Sequence, residues 1–193
     1  DGFDLTDEGS IAQHLGTVSA PIEMVFVATG ALELQGRAPE KTLRNLDPAA
    51  MAAQFALNAT GPALVLKHAL PLLPRDKPCH FAVLSARVGS IGDNALGGWY
   101  SYRAAKAALN QLIHTGAIEL ARSHPQAVVV SLHPGHVSTG LSAAFGGTLP
   151  SVSPDEAADH ILGVLDQLTP AETGGSAFVA FVQTHLQRVL ALI

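Results

Sequence analysis

Four short runs rich in β-branched and aromatic residues recur along the chain, Met24 to Thr29, His80 to Ser85, Ala127 to His133 and Ser176 to Phe181, and longer helical stretches separate them. Each run is bounded by turn residues, and strands that alternate with helices read as βαβ units around a parallel sheet. The two longest helical segments fall at about Pro48 to Leu72 and Tyr100 to Arg122, both rich in Ala and Leu. A later helix begins at Ser153-Pro154-Asp155-Glu156 and runs to about Leu168. There Ser153 caps, Pro154 suits the first turn and Glu156 returns the hydrogen bond. Phe3 to Leu5 reads as the tail of a further strand leading into a helix over about Ser10 to Leu15, and Gly140 to Val152 reads as a mobile loop. The fold class is therefore α/β, with a doubly wound parallel sheet in a single domain over residues 1–193.

Composition narrows the function classes. Hydrophobic residues make up 48% of the chain and charged ones 14%, which excludes disorder and coiled coil. The net charge is −5 and there is no Lys/Arg run, so nucleic acid and anionic membrane surfaces are not expected partners. The longest unbroken apolar run, 177–182, is far shorter than the roughly 20 residues of a membrane-spanning helix. One cysteine, Cys79, forms no internal disulfide, so a reducing, cytoplasmic setting is expected. The first residues carry neither an initiator Met nor a targeting pattern, and the chain reads as cut, not addressed. Nine histidines invite a metal, yet only His133 and His136 are close in sequence and no Cys or acidic ligand accompanies them, so no metal is expected.

Chemistry enters at Tyr102-Arg103-Ala104-Ala105-Lys106, which sets a phenol and an ammonium four residues apart on one helical face. A nearby cation stabilises phenolate and lowers the tyrosine pKa, which equips Tyr102 for proton exchange with a hydroxyl or carbonyl. On its own the spacing is that of any surface pair. It gains weight from Ser85, which closes a strand just upstream, although Ser90 competes with it for a catalytic role. Thr29, Ser85 and Pro134 each stand at the carboxyl end of a strand, where ligands bind in open α/β sheets. Asn58 precedes Pro62 by four residues in a helical stretch. Because proline lacks the N–H that would meet the Asn58 carbonyl, a kink and a carbonyl free to hold water are expected there.

Together these residues resemble the short-chain dehydrogenase/reductase family, and its small C-factor-like members in particular. Ala28-Thr29-Gly30 stands where the family has Asn-Ala-Gly. Asn58 and Ser85 fall at the catalytic Asn and Ser, Tyr102-x-x-x-Lys106 matches the paired motif, and His133 to Thr139 resembles the Pro-Gly-x-Val-x-Thr segment. The resemblance implies a Rossmann-like fold and hydride transfer between NADP (or NAD) and a small-molecule carbonyl or secondary alcohol. It implies that Ser85 binds the substrate oxygen, Tyr102 supplies its proton, Lys106 lowers the Tyr102 pKa and binds the ribose, and Asn58 positions a relay water. It further implies cofactor contacts from Asp4, Leu5, Ala28, Thr29, Gly30, Pro134, Gly135, Val137 and Thr139, and a homodimer or homotetramer built through the long Ala-rich helices.

The sequence also departs from the family. No Thr-Gly-x-x-x-Gly-x-Gly turn occurs in it, so the pyrophosphate cradle and the strand before it are missing, and the Rossmann-like sheet is expected to be incomplete at the N-terminus. The competing expectation is a truncated or degenerate member that binds partners or signals without turnover. A weaker alternative is another doubly wound fold, such as a flavodoxin-like module, in which Tyr102 and Lys106 lie away from the crevice.

Overall fold

A computed structural model describes residues 2–140 and 151–178. Its elements are α1 (Glu8–Gly16), β1 (Met24–Val27), α2 (Pro48–Phe55), α3 (Gly61–Ala69), β2 (Cys79–Leu84), α4 (Tyr100–Leu120), β3 (Ala127–His133), α5 (Pro154–Leu165) and β4 (Ser176–Phe178). The four strands form one parallel sheet in the order β1-β2-β3-β4.

Strand alternation divides the core into two layers. Cys79, Phe81 and Val83 of β2, with Ala127 and Val129 of β3, pack against α1, α3 and α4. The intervening Ala82, Val128, Val130 and Leu132 meet Ile161 and Leu165 of α5 on the opposite face. Helices on both faces are the doubly wound arrangement expected from the βαβ rhythm. The sheet is incompletely covered on the β1 side. Val27 is buried, but Met24 and Phe26, which share the other face of β1, are 41% and 39% exposed, unusual in a parallel sheet.

Several boundaries differ from the sequence expectation, each for a local reason. Phe3–Leu5 is irregular chain followed by a turn, not a strand tail. Leu5 drops into the core beside α3, and a side chain at Gly61 would come within 2.5 Å of the Leu5 carbonyl oxygen, so this backbone is held by packing without a ladder. The first helix starts earlier than Ser10 because the Asp7 carboxylate accepts from the backbone of Gly9 and Ser10. The run from Pro48 to Leu72 is interrupted by a π-helical turn over Ala56–Thr60 and finishes in a 3-10 turn, Leu70–Leu72. The kink expected from Asn58 and Pro62 is thus a π-bulge, a common local answer to a broken hydrogen-bond ladder. By length and composition Pro48–Leu72 passes as a membrane-crossing helix, although no unbroken apolar run does. In this fold Val65, Leu66 and Ala69 of that segment belong to the core.

The capping box at Ser153 and Glu156 forms as expected, and α5 stops at Leu165, short of Leu168. Of the loop expected over Gly140 to Val152, residues 141–150 lie outside the described part, as do residues 179–181 of the last expected strand.

Candidate active site

Parallel strands in register end on one rim. Val27 is level with Val83, and Leu84 with Leu132, so the chain leaving β1 at Ala28, β2 at Ser85 and β3 at Pro134 emerges along the same edge. Helix α4 runs beneath that edge. The loop after β2 lies so close to it that a Cβ on Gly89 would meet the Lys106 backbone carbon at 2.9 Å, which only glycine permits.

Lys106 is the centre of the site. It is 2% exposed, and its Nζ donates to the Leu84 carbonyl at 2.9 Å, immediately before Ser85. The same Nζ stands 5.9 Å from the centroid of the Tyr102 ring. A Cβ built on Gly30, whose φ is +153°, would fall 3.3 Å from Lys106 Nζ and 2.9 Å from Asn58 Oδ1. Four predicted residues from three segments, Gly30, Asn58, and Tyr102 with Lys106 on α4, therefore gather at the strand ends, with the backbone leading to Ser85 beside them.

Asn58 is fully buried in the π-helical turn. Its Nδ2 donates to the Ala31 carbonyl at 2.9 Å and to Gln54 Oε1 at 2.6 Å, while Oδ1 accepts from Ala31 N at 3.2 Å. Gln54 in turn donates to the Leu32 carbonyl at 2.8 Å. The side chain of Asn58 thus straps the loop after β1 to the helix.

Ser85 is placed differently from a hydroxyl poised over a crevice. Its N–H continues the ladder to the Leu132 carbonyl at 2.7 Å, and its Oγ donates to Asn110 Oδ1 at 2.7 Å, one helical turn beyond Lys106. Strand alternation explains this, because Ser85 follows Val83 on the face that α4 covers. Ser90, the competing serine, accepts from Asp93 N at 3.3 Å.

Burial governs the ionisation of the pair. It raises the Tyr102 phenol to about 12 and lowers the Lys106 ammonium to about 8. Burial is the cause of both shifts. Both side chains are nearly dry, and desolvation disfavours the charged form of each. His133, at the end of β3, is pushed down to about 4 by burial, with the charges of Arg87, His136 and Lys106 adding to the effect.

The remaining predicted residues lie around or beyond this cluster. Ala28 and Thr29 are exposed on the rim, Pro134 and Gly135 are half-buried, and Val137 bridges to Val152. Thr139 is exposed at the edge of the described chain. Asp4 accepts from the Thr6 backbone and hydroxyl, which hold its carboxyl below the usual range, and Leu5 is in the core. Neither residue takes part in the contacts that join the cluster. Among the described residues no group of three or more His, Cys, Asp or Glu is placed to hold a metal ion.

Sequence reading missed Gln54, Asn110 and Glu40. The first two carry a usable signal, since Gln54 lies one helical turn before Asn58 and Asn110 one turn after Lys106. Glu40 sits in an irregular segment and has no periodic signature.

A family described as enoyl-(acyl carrier protein) reductase matches residues 2–182. The 1-hydroxy-2-glutathionyl-2-methyl-3-butene dehydrogenase of Rhodococcus sp. (strain AD45) is 31% identical over 176 residues, covering 90% of this chain and 74% of its own. The C-signal protein of Myxococcus xanthus is 38% identical over 133 residues, with coverages of 68% and 76%. Among solved structures, the NADPH-bound carbonyl reductase from chicken fatty liver superposes with a TM-score of 0.77 at 26% identity, over 92% of this chain and 73% of that one. The carbonyl reductase Sniffer of D. melanogaster shares the fold, with a TM-score of 0.78 at 22% identity over 91% and 73% of the two chains.

Proposed function

The chain belongs to the short-chain dehydrogenase/reductase family, and from that premise we propose that it transfers hydride between NADP(H) or NAD(H) and a small-molecule carbonyl or secondary alcohol. The observation that carries the reading is Lys106, an ammonium 2% exposed whose described hydrogen bond is to a backbone carbonyl, beside a buried phenol at the ends of parallel strands. Burying a cation this way costs stability, and such costs concentrate at functional sites.

The residues present fit the ribose and nicotinamide end of a dinucleotide. At Gly30 a side chain would fill the space before Asn58 and Lys106, so glycine keeps that approach open. Ala28 to Gly30, Lys106 and Pro134 to Thr139 would hold the cofactor, whose nicotinamide supplies or accepts the hydride when bound. Asp4 and Leu5 are proposed on the adenine side by family likeness alone.

In the reducing direction Tyr102 donates its phenolic proton to the substrate oxygen. A neutral phenol is the form that burial favours. As the proton leaves, negative charge develops on a ring that faces the Lys106 ammonium, and that attraction stabilises the phenolate where water is scarce. Asn58 anchors the loop carrying Gly30 and Ala31, and its backbone carbonyl is proposed to position a relay water. Ser85 reaches the substrate oxygen as a donor only by turning its hydroxyl away from Asn110; Ser90 is the competing serine. A homodimer or homotetramer, packed through the long helices, is part of the same proposal and uses Leu112 and Ile118, which are exposed on α4.

The test is NADPH oxidation against a carbonyl panel. Tyr102→Phe should lower kcat by roughly 10²- to 10⁴-fold with little change in dinucleotide affinity. Turnover at the wild-type rate in that variant would overturn the assigned acid/base role. Failure of the intact protein to bind dinucleotide would favour a binding or signalling protein without turnover.

A further inference from the structure

An α-helix leaves its first backbone N–H groups without partners inside the helix, and a capping side chain usually takes one of them. Helix α4, whose first two turns carry Tyr102 and Lys106, has no such local cap. Its N-cap residue is Trp99, with φ 53° and no side-chain cap bond, preceded by Gly97 and Gly98 at φ 65° and 68°. Three successive left-handed residues reverse the chain, and none of them provides a capping side chain.

The acceptor comes from Glu40, in the irregular segment between β1 and α2. Its backbone carbonyl takes the Trp99 N–H at 2.6 Å. Its carboxylate takes the Ser101 N–H at 3.2 Å through Oε2 and the Ser101 hydroxyl through Oε1, across 61 residues of sequence. Glu40 and Ser101 are 9% and 1% exposed, so this is an interior clamp. Burial raises the Glu40 carboxyl, yet hydrogen bonds from the Ser101 side chain and from the backbone outweigh it and leave the group below its ordinary range. A carboxylate also opposes the positive end of the helix dipole. Glu40 and Tyr102 line one pocket, together with Leu32, Leu34 and Gln54.

We propose that Glu40 is a positioning residue: its carboxylate and carbonyl fix the first turn of α4 and thereby set Tyr102, which lines the same pocket, for proton transfer to the substrate oxygen. The inference rests on the acid/base reading of Tyr102. Two bonds to Ser101 and one to Trp99 determine both the height and the rotation of the turn, and Tyr102 is the next residue along it. Displacing a reacting group by about 1 Å costs roughly a hundredfold in rate, so a clamp of this kind acts on turnover more than on binding.

The test compares Glu40→Gln, Ser101→Ala and the double variant with wild type and Tyr102→Phe, using the carbonyl compound that wild type reduces. Glu40→Gln keeps the shape but has one acceptor oxygen in place of two, so it can hold the Ser101 N–H but no longer accept the hydroxyl proton as well. The expected result is a kcat reduced about ten- to a hundredfold, a KM within about threefold, and a double variant no worse than Glu40→Gln, because the bond donated by the Ser101 hydroxyl is lost in either change. Wild-type kcat in folded Glu40→Gln beside an inactive Tyr102→Phe overturns the proposal. If Glu40→Gln does not fold, Ser101→Ala decides on the same terms. An active Tyr102→Phe would refute the acid/base reading instead. Emission from Trp99, the single tryptophan of the chain, which meets the Tyr102 ring edge-on at 6.4 Å, then decides for Glu40. A shifted emission in Glu40→Gln is expected, and an unchanged one overturns the clamp.

Discussion

Replacing Lys106 by Met should remove a gain of stability that the wild type makes as pH rises, and the size of the change follows from the burial of this one group. The ammonium falls from its ordinary 10.5 to about 8 in the folded chain, a difference worth on the order of 3 kcal/mol. The sign follows from proton counting. Between pH 8 and 10.5 the unfolded chain holds a proton on Lys106 that the folded chain has released, so stability rises with pH across that window. Below pH 8 the full penalty is present; above 10.5 it is gone. From pH 7 to 9.5 the wild type should therefore gain about 2 kcal/mol relative to Lys106→Met. At pH 7 the variant escapes the penalty but leaves the Leu84 carbonyl short of its donor, a loss of about 1–3 kcal/mol, so the two proteins should lie close together there or the variant slightly higher. Burial also raises the Cys79 thiol and the Tyr102 phenol, which removes stability at alkaline pH. Both groups are present in both proteins, so the difference between them isolates Lys106. Urea unfolding at several pH values reads it directly. Parallel curves for the two proteins from pH 7 to 9.5 would refute the claim that Lys106 is held as a desolvated ammonium.

Two further outcomes follow. Asn110→Ala frees the Ser85 hydroxyl from its 2.7 Å bond; if Ser85 serves the substrate, kcat/KM should hold or rise in this variant and fall roughly tenfold or more in Ser85→Ala, whereas equal, wild-type values in both would remove Ser85 from the chemistry. Ile118→Lys, at a position 52% exposed on α4, should shift the protein toward monomer in sedimentation at micromolar concentration, and a wild-type protein that is already monomeric would refute the proposed assembly.

Much of this molecule is legible along the chain because its signals are local. The β-branched runs at 80–85 and 127–133 have strand length and turn residues at their ends, and they pair in parallel as expected. Ser153 and Glu156 close a box within one turn. Tyr102 and Lys106 share a helical face by spacing alone, and Pro62 announces the disturbance at Asn58 through the donor it lacks. Phe3–Leu5 misleads because a short apolar stretch looks the same whether it pairs in a sheet or only packs against a helix.

What the sequence determined by itself is the layered α/β scaffold and the helical face that carries phenol and ammonium, since both depend on residues a few positions apart. Tertiary structure decided the rest. It turned the Ser85 hydroxyl toward Asn110, brought Glu40 across 61 positions to cap α4, and set the ionisation of Tyr102 and Lys106 by drying them. Those outcomes depend on which distant segments approach and how completely they exclude water, and no spacing along one segment encodes either quantity.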